Sequence, residues 1–488
     1  MKKGLLYYPL IIGVFAFLIW FVIDKGAALP PNSDAVQHPE LSVTRLVTAT
    51  PSAAVVPDKP WTSILRNIQN PLSLLLFQII VIFFVSKLFG RIITRIGQPA
   101  VVGETIAGLV LGPSLMGWIF PDVSGFIFPK GSLPNLQFLS QIGLIFFMFL
   151  IGVELDMAKL KNKAQSAVII SHASIIFPYF LGVCVAYVTY QEFAPAHVSF
   201  LSFALFMGIA MSITAFPVLA RILKERNLTA TPLGSLALTC AAADDVTAWC
   251  ILAAVIAIVK AGNITSALVT ISLTLVFVLV MLYGVRPLVK KVMNKITENE
   301  QLNAVVVTVA FFVLLVSAWL AEIIGIHALF GAFLAGAIMP KSWKFKELLA
   351  GKTEDISVLV LLPLFFAFTG LRTQIGLLNG HLWTVCAGII FIAVAGKFGG
   401  STVAARITGQ SWKDALSIGA LMNTRGLMEL IVLNIGYDLG ILSPQIFAIM
   451  VLMALITTMM TNPLLNLVEF LAKMYPNKEL GNGEPVKY

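Results

Sequence analysis

About fourteen apolar stretches, each near 20 residues long, divide this chain from end to end. They run over 4–23, 71–89, 100–119, 136–155, 164–190, 199–222, 232–259, 264–286, 302–320, 324–340, 354–371, 382–408, 413–437 and 445–471. A hydrocarbon core of about 30 Å is crossed by a helix of about that length. The stretches lack the short alternating pattern of a membrane barrel, and they follow one another too closely to leave room for a soluble domain. Charged residues make up only 12% of the 488 residues, and hydrophobic ones 58%. Soluble domains carry about 25% charged residues. The fold expected is an all-α polytopic membrane protein of about 14 transmembrane helices.

The loops orient it. If Lys2 and Lys3 lie inside, the inner loops hold Lys87, Arg91 and Arg95, then Lys159, Lys161 and Lys163, then Arg221, Lys224 and Arg226. Arg286, Lys290, Lys291 and Lys295 follow, then Lys341, Lys344, Lys346 and Lys352, then Arg406 and Lys413. The outer loops hold little besides Lys130, Lys260 and Arg372. This asymmetry obeys the positive-inside rule and predicts a cytoplasmic C-terminus in an inner or plasma membrane. It also accounts for the net charge of +9 without any nucleic-acid partner. The four cysteines all fall in apolar stretches and read as small buried hydrophobes.

Three units are expected. Residues 1–70 form an anchor helix, or a signal sequence, followed by an extracytoplasmic segment from about Asp24 to Asn70. Residues 71–471 form the membrane domain. Residues 472–488 are a short cytoplasmic tail, too short for a nucleotide-binding regulatory domain.

The membrane domain contains a repeat. Val102–Pro113 and Phe330–Pro340 align Gly103, Ala107 and Gly108 with Gly331, Ala335 and Gly336, and Phe146–Gly152 resembles Phe365–Gly370. Each pair lies an odd number of helices apart, which makes the repeat inverted. Inverted repeats point to secondary transporters, with sites near mid-membrane where helices are interrupted in both halves. The repeat pairs stretch 199–222 with 413–437, and both carry breakers: Ser212 to Pro217 in one, Asn423 to Gly426 in the other. Two discontinuous, crossing helices are expected. Pro217 removes a backbone donor and frees an upstream carbonyl. That carbonyl, with the Ser212 and Thr214 hydroxyls, would suit a hard cation, although proline kinks are frequent in membrane helices.

Ionised side chains at mid-bilayer cost about 2.5–3.5 kcal/mol each and mark function. Asp244 and Asp245 stand at the centre of an apolar stretch. Neighbours on a helix point about 100° apart, so one acid can face an ion path while the other reaches a partner. Lys397, among Gly396, Gly399 and Gly400, is the obvious counter-charge. The pair is either structural or a switch broken by cation or proton. Arg425 and Glu429 are an i, i+4 pair that neutralises itself or supports the broken helix. Glu104 pairs with an arginine or gates the inner entrance. His172 and His327 read as packed histidines. No metal-ligand spacing, phosphate loop or nucleophile constellation is present, so no enzyme chemistry, cofactor or resident metal is expected.

Together these motifs resemble the sodium/proton antiporters, in the monovalent cation:proton branch that includes potassium-efflux systems and plant cation/proton exchangers. The resemblance spans about 71–470 and rests on VGETIAGLVLGPSL, TAFPVLARIL, ADDVTAW and NTRGLMELIVLNIG in family order. It implies a core bundle of six helices, drawn from 136–190, 199–259, 354–408 and 413–471, moving like an elevator against a dimerisation bundle. It implies a homodimer. Asp245 matches the acid that carries cation or proton. Asp244 matches a variable position that, as Asp paired to the lysine at Lys397, accompanies electrogenic exchange of two protons per cation. The function expected is exchange of Na⁺ (or Li⁺ or K⁺) for H⁺. The alternatives are K⁺/H⁺ exchange and a sodium-coupled organic-anion symporter, which would need Lys397 or Arg425 as substrate anchor.

Overall fold

In the computed structural model, residues 2–30, 67, 70–154, 164–229, 231–261, 264–297, 303–340 and 360–474 are described. Most of segment 24–70, the lysines of 159–163 and 341–352, and the tail beyond 474 lie outside them. Twelve helical runs among the described residues are long and apolar enough to cross a membrane. Two of the expected fourteen stretches are not among these twelve. The 324–340 stretch yields only the eleven-residue helix Ala328–Ile338, and 354–371 is described only from residue 360, as Leu362–Arg372.

The helices, in chain order, are α1 (Lys2–Gly26), α2 (Pro71–Arg95), α3 (Ala100–Leu111), α4 (Leu133–Glu154), α5 (Ala164–Phe193), α6 (Phe200–Ser212), α7 (Phe216–Glu225) and α8 (Pro232–Ala261). Next come α9 (Ile264–Leu279), leading through a π-helical turn into α10 (Arg286–Thr297), then α11 (Asn303–Ile324), α12 (Ala328–Ile338) and α13 (Leu362–Arg372). The chain closes with α14 (Gly380–Val394), α15 (Gly400–Ile407), α16 (Trp412–Met422), α17 (Leu427–Asp438) and α18 (Pro444–Met474).

Local chemistry explains the short members. α3 stops at Leu111 because Gly112, extended at ψ −176°, precedes Pro113, and a residue before proline avoids helical geometry. α12 starts late because Gly325 (φ +96°) and His327 (φ +78°) turn the chain between it and α11.

The inverted repeat is visible in how glycines pack. A Cβ on Gly103 of α3 would stand 2.8 Å from Gly90 Cα of α2, and one on its mate Gly331 of α12 would run into Ser317 O of α11. A Cβ on Gly108 of α3 would stand 2.7 Å from Ala367 Cα of α13, and one on its mate Gly336 of α12 would run into Phe149 O of α4. The two short helices of opposite halves thus grip reciprocal partners. Small residues permit such backbone approach, and van der Waals contact then holds membrane helices together. Gly336→Val is expected to overpack this crossing and lower stability by about 1–3 kcal/mol, read as loss of monodisperse protein on heating in detergent. Gly388→Ala, with open space at its Cβ, is expected to leave the melting curve unchanged or raised.

Packing sorts the helices into two groups. α2, α3, α4, α11, α12 and α13 pack chiefly on one another, and α5 to α8 pack with α14 to α18. The expected allotment of 136–155 and 354–371 to the core is therefore corrected. α4 docks on α12, and α13 on α3 and α4, because the glycine crossings draw them there. α1 lies on α5, with Phe15 edge-on to Phe177 and Phe180 at 5.5 and 5.6 Å.

Candidate ion-binding site

α6 ends at Ser212 and α7 begins at Phe216, with Ile213 and Ala215 extended between them. Pro217 occupies the first turn of α7. It starts a helix rather than kinking one, and its missing N–H falls where no intrahelical partner exists anyway. In the other half, α16 ends at Met422 and α17 begins at Leu427. Gly426 between them has φ +135° and ψ −125°, a conformation essentially restricted to glycine. The two breaks cross and bond directly, Ala215 N–H donating to Thr424 O at 3.1 Å.

Breaking a helix exposes unpaired carbonyls at one end and N–H groups at the other. Side chains of matching charge meet them here. Arg425 reaches from the second half to the C-terminal carbonyls of α6, donating to Ala210 O at 3.2 Å and Met211 O at 2.7 Å. Lys397 Nζ donates to the next carbonyl, Ser212 O. Two cations thus cap the negative end of one half-helix dipole. Asp245 lies at the opposite end of the break, close enough to the Phe216 N–H at the start of α7 to feel its field.

Lys397 rides on the π-helical turn Ala395–Gly399 joining α14 to α15. Gly396 and Gly400 bring this turn against α5, with a Cβ on them 2.9 Å from Leu181 and 3.2 Å from Phe177. Gly399 has open space and takes no part. Besides Ser212 O, the ammonium donates to Ser174 O at 2.8 Å and to Asp244 Oδ2 at 3.2 Å. Its three protons are all engaged.

The two acids differ sharply. Asp244 Oδ2 also accepts from Ser174 Oγ and Thr214 Oγ1, each at 2.6 Å. Asp245 is 2% exposed, and among the described residues no side chain donates to either of its carboxylate oxygens. Asp244 Oδ1 and Asn423 Oδ1 are likewise buried acceptors without a donor.

Other expected residues take different parts. Ser212 contributes its carbonyl, its hydroxyl being turned back to Ile209 O at 2.9 Å. The Thr214 hydroxyl is held by Asp244. Asn423 is anchored through its amide to Thr457 O at 3.3 Å. Arg425 and Glu429 form a fully buried pair at 3.4 Å. Glu104 is buried on α3, apart from the crossing, and makes no ion pair among the described residues; the basic groups whose field reaches it are Lys87 and Arg221. His172 bonds Val168 O within its own helix, and His327 Nδ1 accepts the Leu329 N–H at the start of α12.

Sequence reasoning missed Ser174, Thr457, Thr458 and Thr461. Thr458 Oγ1 accepts from Arg425 N at 3.2 Å, and Thr461 Oγ1 lies 3.2 Å from Thr424 Oγ1. Clustered hydroxyls within apolar stretches were their only signal. Among the described residues no group of three or more His, Cys, Asp or Glu is placed to hold a metal ion.

Residues 80–467 match the family described as sodium/hydrogen exchanger, transmembrane. The chain belongs to that family. Among its curated relatives, the Na⁺/H⁺ antiporter NhaS4 of Synechocystis is 46% identical over 83% of this chain and 98% of the relative. The K⁺/H⁺ antiporter 1 of Saccharomyces cerevisiae is 33% identical over 82% of this chain but 47% of its own length. Among solved structures, the sodium proton antiporter MjNhaP1 of Methanocaldococcus jannaschii superposes with a TM-score of 0.60 at 16% identity, covering 85% of this chain and all of that one. The family match and the structural likeness therefore cover most of this chain, including the crossing of its two helix breaks at Ile213–Ala215 and Asn423–Gly426.

Proposed function

We propose that this exchanger family member carries Na⁺ inward or outward in exchange for H⁺, by alternating access, with Asp245 as the shared site. The observation that carries this reading is the contrast between the two acids. Asp244 has three side-chain donors, whereas Asp245 is a buried carboxylate with none among the described residues. A bare carboxylate in a low-dielectric interior is costly, so it demands either a proton or a cation. Asn423 Oδ1 and Asp244 Oδ1 supply further oxygens without donors, as a hard cation requires.

Exchange then follows from competition. Cation and proton displace one another at Asp245, and only the neutralised core crosses. Cation binding that also draws on Asp244 weakens its pair with Lys397, which supports electrogenic exchange of two protons per cation. The symporter alternative loses its anchor, because Lys397 has no free donor and Arg425 is spread over Ala210 O, Met211 O and Glu429. K⁺/H⁺ exchange at the same site is the second reading, favoured by the likeness to the yeast K⁺/H⁺ antiporter. The reading includes a homodimer and a cytoplasmic C-terminus.

The test is proton flux in proteoliposomes with an imposed pH gradient, on adding Na⁺, Li⁺ or K⁺. Collapse with Na⁺ or Li⁺ and no carboxylate solute is expected. Collapse with K⁺ alone would change the substrate. A flux that needs an organic anion would overturn antiport.

A further inference from the structure

Trp249 stands one helical turn after Asp245 on the same face of α8. Side chains on a helix lean toward its N-terminus, the direction in which Asp245 lies from Trp249. Trp249 is 3% exposed. Its ring stacks on Phe333 of α12 with centroids 6.5 Å apart and planes 19° from parallel, a contact between the two helix groups. Among the described residues its Nε1–H has no acceptor. One face of one helix therefore carries a buried donor without an acceptor and a buried carboxylate without a donor, four residues apart. Leaving either group unpaired is unfavourable, the charged one most of all.

We propose that Trp249 is a positioning residue for the exchange, its indole N–H donating to the Asp245 carboxylate, directly or through one water, whenever that acid carries no proton, with or without a bound cation. This rests on Asp245 being the shared site. The donor steadies the charged form of the acid and so biases the competition against the proton, leaving more carriers open to cation at a given pH. The other groups that reach Asp245 are Asp244 on its own helix, Lys397 from the turn between α14 and α15, and the Phe216 N–H of α7. A substitution at Trp249 alters none of them directly. Phe333 faces Trp249 from α12 and carries no charge.

Trp249→Phe keeps an aromatic ring and removes the N–H. Replacing Trp249 with benzothienylalanine keeps the bicyclic shape as well, should the smaller ring fail to support folding. Phe333→Leu loosens the stack and keeps the donor. Na⁺-evoked proton flux is measured across pH in proteoliposomes, with Na⁺-induced thermal stabilisation in detergent as a second readout of site occupancy. Both donorless variants are expected to move the half-maximal pH upward by about one unit and to raise the apparent KM for Na⁺ near neutral pH about tenfold. They should converge on the native KM at high pH, where the proton no longer competes. Phe333→Leu should leave the half-maximal pH in place.

An unmoved profile in either donorless variant would overturn the proposal and leave Trp249 as a packing ring. So would an equal shift in Phe333→Leu, since the stack rather than the donor would then set the profile. Asp245→Asn is run beside them. If it keeps Na⁺ exchange, the shared-site reading itself fails and this proposal falls with it. If it loses exchange while the donorless variants show no shift, only the Trp249 proposal fails.

Discussion

Asp245→Asn is expected to abolish cation-evoked proton flux, by at least 100-fold, while the protein folds and purifies as before. Its amide preserves shape and removes the charge that a cation needs and the site that a proton titrates. Folding should survive because neither carboxylate oxygen of Asp245 holds a neighbour in place. Removing a bare buried charge relieves desolvation rather than breaking a pair, so the melting temperature should stay level or rise. Asp244→Asn is the contrast. Asp244 binds Ser174, Thr214 and Lys397, and neutralising it leaves a fully buried ammonium without its counter-charge. That variant should melt earlier and, if it exchanges, move fewer protons per cation. Proteoliposome flux, membrane-potential dependence and melting curves on both variants decide the matter. Residual exchange above about a tenth of native in Asp245→Asn would transfer the carrier role to Asp244.

The second large effect is structural. Arg425→Met is expected to cost about 3–5 kcal/mol, the range for removing one partner of a buried ion pair. The guanidinium is wholly buried, and three acceptors depend on it: Ala210 O, Met211 O and Glu429 Oε2. In a membrane no water reaches those carbonyls to replace it. The variant should appear as a sharp loss of monodisperse protein and a lowered melting temperature, with flux lost as a consequence. Adding Glu429→Gln should restore part of the stability, since it removes the stranded carboxylate but not the stranded carbonyls. Full restoration would mean that Arg425 serves only to neutralise Glu429 and does not cap α6. A stable Arg425→Met protein lacking only transport would instead place the guanidinium in the ion path.

Much of this protein was legible in one dimension, because the decisive costs in a bilayer are local. Apolar length marks a crossing, basic residues mark the loops, and a charge inside an apolar stretch is expensive wherever its partner lies. The apolar runs, the two helix breaks, the glycine repeat and the pair Asp244–Asp245 with Lys397 follow from such rules. The shortness of α12 has a local cause as well, at Gly325–His327, and that turn chemistry was there to be read.

Tertiary structure decided what each group does, because partners come from far along the chain. Asp244 is satisfied by residues 30, 70 and 153 positions away, and only that packing makes Asp245 the bare acid of the two. Ser212 offers a carbonyl rather than a hydroxyl because Lys397 arrives from 185 residues downstream. Arg425, which reads along the chain as the neighbour of Glu429, caps α6 from 214 residues away. α4 and α13 join the group opposite the crossing because glycines in α12 and α3 accept their backbones. Hydropathy along a chain records how much each residue avoids water or lipid. Which hydrogen-bond partner it finds is a property of the packed helices alone.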